Sequence, residues 1–275
     1  MVGSPGNHIR AGYEAGMPHK LHRSLGKRAL EVFGGGLDSR DLLRLAARTY
    51  LKGEGLEIGA LHEPEKVPRG ARVRYVDWKP LEELRRSYPE LRDRELVEVH
   101  IVDDGSRLGS VADASQDFVI AAHVIEHLED PIGALVNYLR VLKYGGVIFL
   151  AIPDKRHTFD KDRPVTRAEH LLRDFHEGPD WSRRAHYEEW ARLIQGAADE
   201  EQARAMAVEL QARRESIHFH VFTQAAMIEM LTAVDRLRPF DIAMMYAAGN
   251  ECVFVLRKTG PATPTGGAPT GAGTP

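Results

Sequence analysis

Six of the thirteen histidines fall between His157 and His220, and acidic side chains punctuate the segment before them at Glu57, Asp77, Asp103 and Asp104. An imidazole changes charge near neutrality, so it serves as a general base or a metal ligand. A carboxylate accepts hydrogen bonds from hydroxyls or from an exocyclic amine. His218-Phe219-His220 is an alternating triplet. In an extended chain both imidazoles point one way and Phe219 the other. Two such histidines bind a metal if His186 or His170, with Asp154, completes the shell. Equally, they hydrogen-bond carboxylates as part of a pocket floor, or take a proton from a substrate. The spacing leaves these readings open, and no residue is assigned as a metal ligand. The candidate catalytic groups are therefore His123, Asp154, His186, His218 and His220. Arg156 offers a fork for a carboxylate or phosphate, and with His157, His170 and Tyr187 it makes up the expected substrate contacts.

These groups need a scaffold, and 275 residues with 43% hydrophobic content suffice for one large domain carrying an insertion. Residues 1–16 and 260–275 are rich in Gly, Pro and other small or polar residues and read as disordered tails around a domain at 17–259. Helices are expected at 25–33 and 39–51, the second capped by Asp38 or Ser39. From 55 onward short apolar runs predict strands at 56–60, 73–77, 96–102, 117–122 and 146–152, with helices at 80–87 and 131–142 between them. A helical insertion of about 155–222 follows, with helices at 166–175, 183–194 and 199–214; a further helix at 223–232 opens on Thr223. Two final strands, 240–246 and 252–257, are joined by the short 247–251 link, which reads as a hairpin turn. The expected fold is α/β: a doubly wound, mostly parallel seven-stranded sheet ending in an antiparallel hairpin.

A cofactor bearing adenosine sits beyond the carboxyl ends of such a sheet, and an acid after the second strand accepts hydrogen bonds from its ribose. Asp77 holds that place, twenty residues after Glu57. The third strand ends in Asp103-Asp104-Gly105, which suits an exocyclic amine, and the fourth leads through Ala121-Ala122-His123 into Val124-Ile125-Glu126-His127-Leu128-Glu129-Asp130-Pro131. This stretch, with the Gly145-Gly146 turn before strand five, resembles the class I S-adenosylmethionine-dependent methyltransferases, in particular a subgroup with a Glu-His-Leu-x-Asp-Pro run. The resemblance covers roughly 54–154. It implies S-adenosyl-L-methionine as cofactor, methyl transfer as activity, and Glu57, Gly59, Ala60, His62, Asp77, Asp103, Asp104, Gly105, Ala121, Ala122 and His123 as cofactor contacts.

One departure stands out. The family's loop reads acid-x-Gly-x-Gly-x-Gly, whereas Leu61 and Glu63 stand at the second and third glycine positions. Side chains there crowd a cofactor lying against the backbone unless the loop takes another path. The same change removes the phosphate-binding glycines of a nicotinamide dehydrogenase. Two other functions remain open: a repurposed, non-catalytic cofactor-binding protein, and a metal-dependent lyase or cyclase using the His-rich half. A net charge of −3 lacks the basic footprint of a nucleic-acid binder. One cysteine, Cys252, excludes an internal disulfide and fits a reducing compartment. No apolar run reaches the length of a membrane span, and residues 1–40 lack the core of a secretory signal. The expectation is a cytoplasmic biosynthetic enzyme, monomer or homodimer, acting on a small molecule of secondary-metabolite or sugar type.

Overall fold

The computed structural model describes residues 39–260, so both tails and the helix expected at 25–33 lie outside the described residues. Of the two expected caps of the next helix, Asp38 falls outside them as well, and Ser39 is the first residue of that helix. The described chain opens with α1 (Ser39–Tyr50), then β1 (Gly53–Ile58), β2 (Ala71–Asp77), α2 (Leu81–Ser87), β3 (Ile101–Val102), β4 (Gln116–Ala122), α3 (Pro131–Val141) and β5 (Leu142–Pro153). Then come α4 (Ala168–Glu177), α5 (Asp180–Leu193), α6 (Glu200–Arg213), α7 (Gln224–Leu237), β6 (Phe240–Ala248) and β7 (Glu251–Lys258). The seven strands form one sheet in the order β3-β2-β1-β4-β5-β7-β6. Pairing is parallel through β5, and β7 runs antiparallel to both β5 and β6.

Burial on both faces explains why the strands read as apolar runs. On β4, Phe118, Ile120 and Ala122 face one way, into a cluster with Ala46, Ala47 and Leu51 on and just after α1. Val119 and Ala121 face the other way, into the main core with Ile132, Leu135 and Leu139 of α3 and Met227, Met230 and Leu231 of α7. Local chemistry sets the helix starts. Pro131 occupies the first turn of α3 and Asp130 caps it by accepting from the Gly133 amide at 2.8 Å. Asp199 caps α6 in the same way, accepting from the Gln202 amide at 2.8 Å.

Two expectations change. The third strand is confined to Ile101–Val102, because the edge position gives it one neighbour and the residues before it bond otherwise. The Tyr75 amide donates to His100 Nδ1 at 3.1 Å, while Leu96 packs against Leu61, Leu84 and Leu91. The fifth strand starts earlier than expected, directly after α3 at Leu142. Its Gly-Gly pair serves close approach: Gly145 has φ of 78°, and a Cβ at Gly146 would lie 2.9 Å from the Lys143 carbonyl and 3.0 Å from that of Asp117. No described helix is long and apolar enough to cross a membrane.

Candidate functional site

The sheet reverses order between β1 and β4, which puts the carboxyl ends of β1, β2 and β4 along one crevice. After β1, Gly59 has φ of 60° and its amide donates to the Val76 carbonyl at 2.9 Å. Leu61 also has a positive φ, 49°, yet is 2% exposed. Its side chain turns into a lateral cluster with Leu84, Tyr88, Leu91 and Leu96. The backbone thus keeps a left-handed residue at a glycine position, at a cost of roughly 1–2 kcal/mol. Burying the leucine offsets that by about 1.5–3 kcal/mol. Ala60 is buried, and Glu57 accepts from the Glu65 amide at 2.9 Å, bracing the loop across its base. His62 is nearly buried and neither ring nitrogen has a hydrogen bond; Glu63 Oε1 is 3.8 Å away.

Asp77 closes β2, 6% exposed, accepting from the Trp78 amide at 2.8 Å. Burial raises its carboxyl to about 7, against the pull of the Trp78 amide and Lys79. Asp103 accepts from the Asp104 amide at 2.7 Å and from the Ser110 amide and hydroxyl at 2.7 and 2.6 Å. Burial opposes its ionisation, but these bonds outweigh that and hold it below the usual carboxylate range. Asp104 accepts from the Ser106 amide and hydroxyl at 2.9 and 2.6 Å, with Gly105 buried between them. Both acids therefore brace their own loop. Ala121 and Ala122 are buried at the end of β4.

His123 follows with φ of 53°. Its Nε2 lies 2.5 Å from Glu251 Oε2 and its Nδ1 3.5 Å from Glu126 Oε1. Burial opposes protonation, but Glu126 and Glu251 win and lift the imidazole to about 9. At neutral pH this residue is a cation and a donor. His127 is the opposite case, pushed down to about 3 by burial and by neighbouring His218. On the adjacent strand end, buried Asp154 accepts from the Arg156 amide at 3.0 Å and from its guanidinium at 2.6 Å. Arg156 is half exposed and His157 exposed.

The His-rich half divides into two buried groups. His218 Nδ1 lies 2.6 Å from Asp160 Oδ2, while Arg163, 1% exposed, donates to Asp160 at 2.8 Å, Glu189 at 2.9 Å and the His218 carbonyl at 2.8 Å. His220 stands instead with His170, His186 and Asp174. Burial pushes His186 down to about 3 and His220 well below its ordinary value. Tyr187 is held in the core of the insertion, donating to the Glu215 carbonyl at 3.0 Å. Asp154, expected beside these histidines, is engaged with Arg156, and Asp174 takes that place. Sequence reasoning missed Asp160, Arg163, Asp174 and Glu251. Only Asp174 had a signal, its four-residue spacing from His170 on one helix face.

A seven-stranded sheet of this order, with an acid closing β2 and a left-handed turn after β1, defines a class I methyltransferase fold. Residues 53–150 match the model of the methyltransferase domain family. The match marks this stretch as a methyltransferase domain, for which S-adenosyl-L-methionine is the cofactor. The crevice fits that cofactor: Asp77 is a buried acid for a ribose, and the His62 nitrogens are buried polar atoms without hydrogen bonds. No curated protein matches by sequence. Among solved structures, a possible histamine N-methyltransferase from Thermotoga maritima is 16% identical over 79% of this chain and 87% of that one, with a TM-score of 0.44. A putative zinc-dependent alcohol dehydrogenase from Rhodobacter sphaeroides is 14% identical over 80% and 89%, with a TM-score of 0.46. The CurJ carbon methyltransferase is 15% identical over 76% of this chain with a TM-score of 0.41, and the chain spans 50% of that protein.

Proposed function

We propose that the chain transfers a methyl group from S-adenosyl-L-methionine to a small polar acceptor of secondary-metabolite or sugar type, as a cytoplasmic biosynthetic enzyme. The observation that carries this reading is the set of charged groups at the adjoining carboxyl ends of β4 and β5. Ala122 pairs with Ala151 there, and beyond them stand the His123–Glu251 and Arg156–Asp154 pairs. Such groups recognise hydroxyl or anionic functions, and the insertion begins at this edge.

When bound, the cofactor supplies a methyl carbon that is already electrophilic. The protein's part is then to orient the acceptor and remove a proton. Arg156 orients an anionic or hydroxylated group, held in place by the ionised Asp154. His123, cationic at neutral pH, donates a hydrogen bond. His218 is the proton acceptor in this reading, its tautomer fixed by Asp160 at Nδ1. His218→Gln should lower turnover by about 10²-fold or more and leave cofactor affinity unchanged.

The test is incubation of the chain with methyl-labelled cofactor and separate panels of sugars, hydroxylated small molecules, proteins and nucleic acids. Label on a small hydroxylated compound supports the reading. Label confined to protein or nucleic acid overturns it.

A further inference from the structure

We propose that His170, Asp174, His186 and His220 form a binding site for one divalent cation of the zinc class, set between the insertion and the sheet edge. His170 and Asp174 lie four residues apart on α4 and so share a face. His186 comes from α5, and His220 from the extended segment that returns the chain to α7. One donor atom from each lies within 4.8 Å of all the others.

The individual spacings match a coordination shell. Tetrahedral zinc with bonds of about 2.0–2.1 Å separates its donors by about 3.3–3.4 Å. Here His170 Nε2 lies 3.0 Å from His186 Nε2 and 3.2 Å from Asp174 Oδ2, which in turn lies 3.7 Å from His220 Nε2. Three imidazoles and one carboxylate are a borderline set that suits zinc better than calcium or magnesium.

Hydrogen bonding alone does not account for the cluster. It explains the His170–His186 pair and gives His220 Nε2 the Glu129 carbonyl at 3.2 Å, but leaves Asp174 Oδ2 and His220 Nδ1 buried without a hydrogen bond. Asp174 and His220 are each 1% exposed. The outer contacts are those of a metal site: Ser182 Oγ donates to Asp174 Oδ1 at 2.9 Å, fixing the carboxylate so that Oδ2 faces the histidines. A groove of about 410 Å³, lined by Glu129 and Arg183, borders the cluster at Asp174.

Four protein ligands close the shell, so the ion is structural: it clasps α4, α5 and the return segment together. The proposal concerns this cluster alone and does not depend on which acceptor is methylated.

The untagged full-length chain, stripped with chelator and reloaded with zinc, should hold about one ion after dialysis. X-ray absorption at the zinc edge should show nitrogen and oxygen donors only, with about three imidazoles. Chelation should lower the melting temperature. His186→Gln should lose the ion, whereas His157→Gln, altering an exposed histidine, should retain it. Should His186→Gln fail to fold, the absorption spectrum of the unaltered chain decides. Absence of bound zinc in the folded unaltered chain overturns the proposal. So does full retention by folded His186→Gln, which would place the ion elsewhere, as at Glu126, His127 and His218.

Discussion

The imidazole of His123 stands 2.5 Å from the carboxylate of Glu251 and ties the end of β4 to the start of the last strand. Glu126 and Glu251 together lift His123 to about 9. A histidine raised in the folded state contributes stability fully present below its unfolded value near 6.5, and lost as pH rises through about 9. Glu251→Gln should destabilise the protein at pH 7 by about 1.5–3 kcal/mol, the range for a hydrogen bond to a charged group. The gap between variant and unaltered protein should shrink as pH climbs past 9. Melting temperatures across pH 6 to 10 check this; a gap constant over that range would contradict it.

Asp77 gives a pH dependence in cofactor affinity. Its carboxyl, raised to about 7 by burial, is partly protonated near neutrality. Ribose hydroxyls donate to the ionised form, so affinity for S-adenosylhomocysteine should rise with pH through about 7 and flatten above it. Asp77→Ala should weaken binding by about 1.5–3 kcal/mol and abolish that slope. Calorimetric titration at pH 5.5, 7 and 8.5 checks both; equal affinities at all three in the unaltered protein would refute the assignment.

Leu61 opposes two effects of known size. Leu61→Gly relieves roughly 1–2 kcal/mol of left-handed strain. It also empties a buried site in the cluster of Leu84, Tyr88 and Leu91, which costs about 2–5 kcal/mol. The variant should therefore be less stable, by up to about 4 kcal/mol, read from urea unfolding. A more stable variant would mean that the leucine is tolerated strain with no packing role.

The sheet was legible because parallel strands buried on both faces appear as uninterrupted apolar runs, as in β4 and β5. β3 was over-read because an edge strand has the same composition, and only its one-sided pairing shortens it. For Leu61 both crowding and another loop path were open, because residue type alone does not reveal that the side chain packs with Leu84, Tyr88, Leu91 and Leu96. Asp160 with His218 and Glu251 with His123 were invisible because each pair spans a long stretch of sequence, 58 and 128 residues. His218 and His220 were read as a pair sharing one face, and each is buried with its own partners, which alternation along an extended segment does not specify.

Arg163 carries the largest stability prediction. It is 1% exposed and bonded to Asp160, Glu189 and the His218 carbonyl, so Arg163→Met leaves a buried carboxylate and carbonyl uncompensated. A loss of about 3–5 kcal/mol is expected in chemical denaturation. A loss under about 1 kcal/mol would show that the network is slack.

The crevice at the carboxyl ends of β1, β2 and β4 is expected to hold S-adenosyl-L-methionine. Calorimetric titration of the full-length chain with S-adenosylhomocysteine at pH 8 tests it most directly. A saturable isotherm with about one site per chain is expected, weakened about tenfold or more in Asp77→Ala. No binding heat and no thermal stabilisation of a folded chain would contradict it.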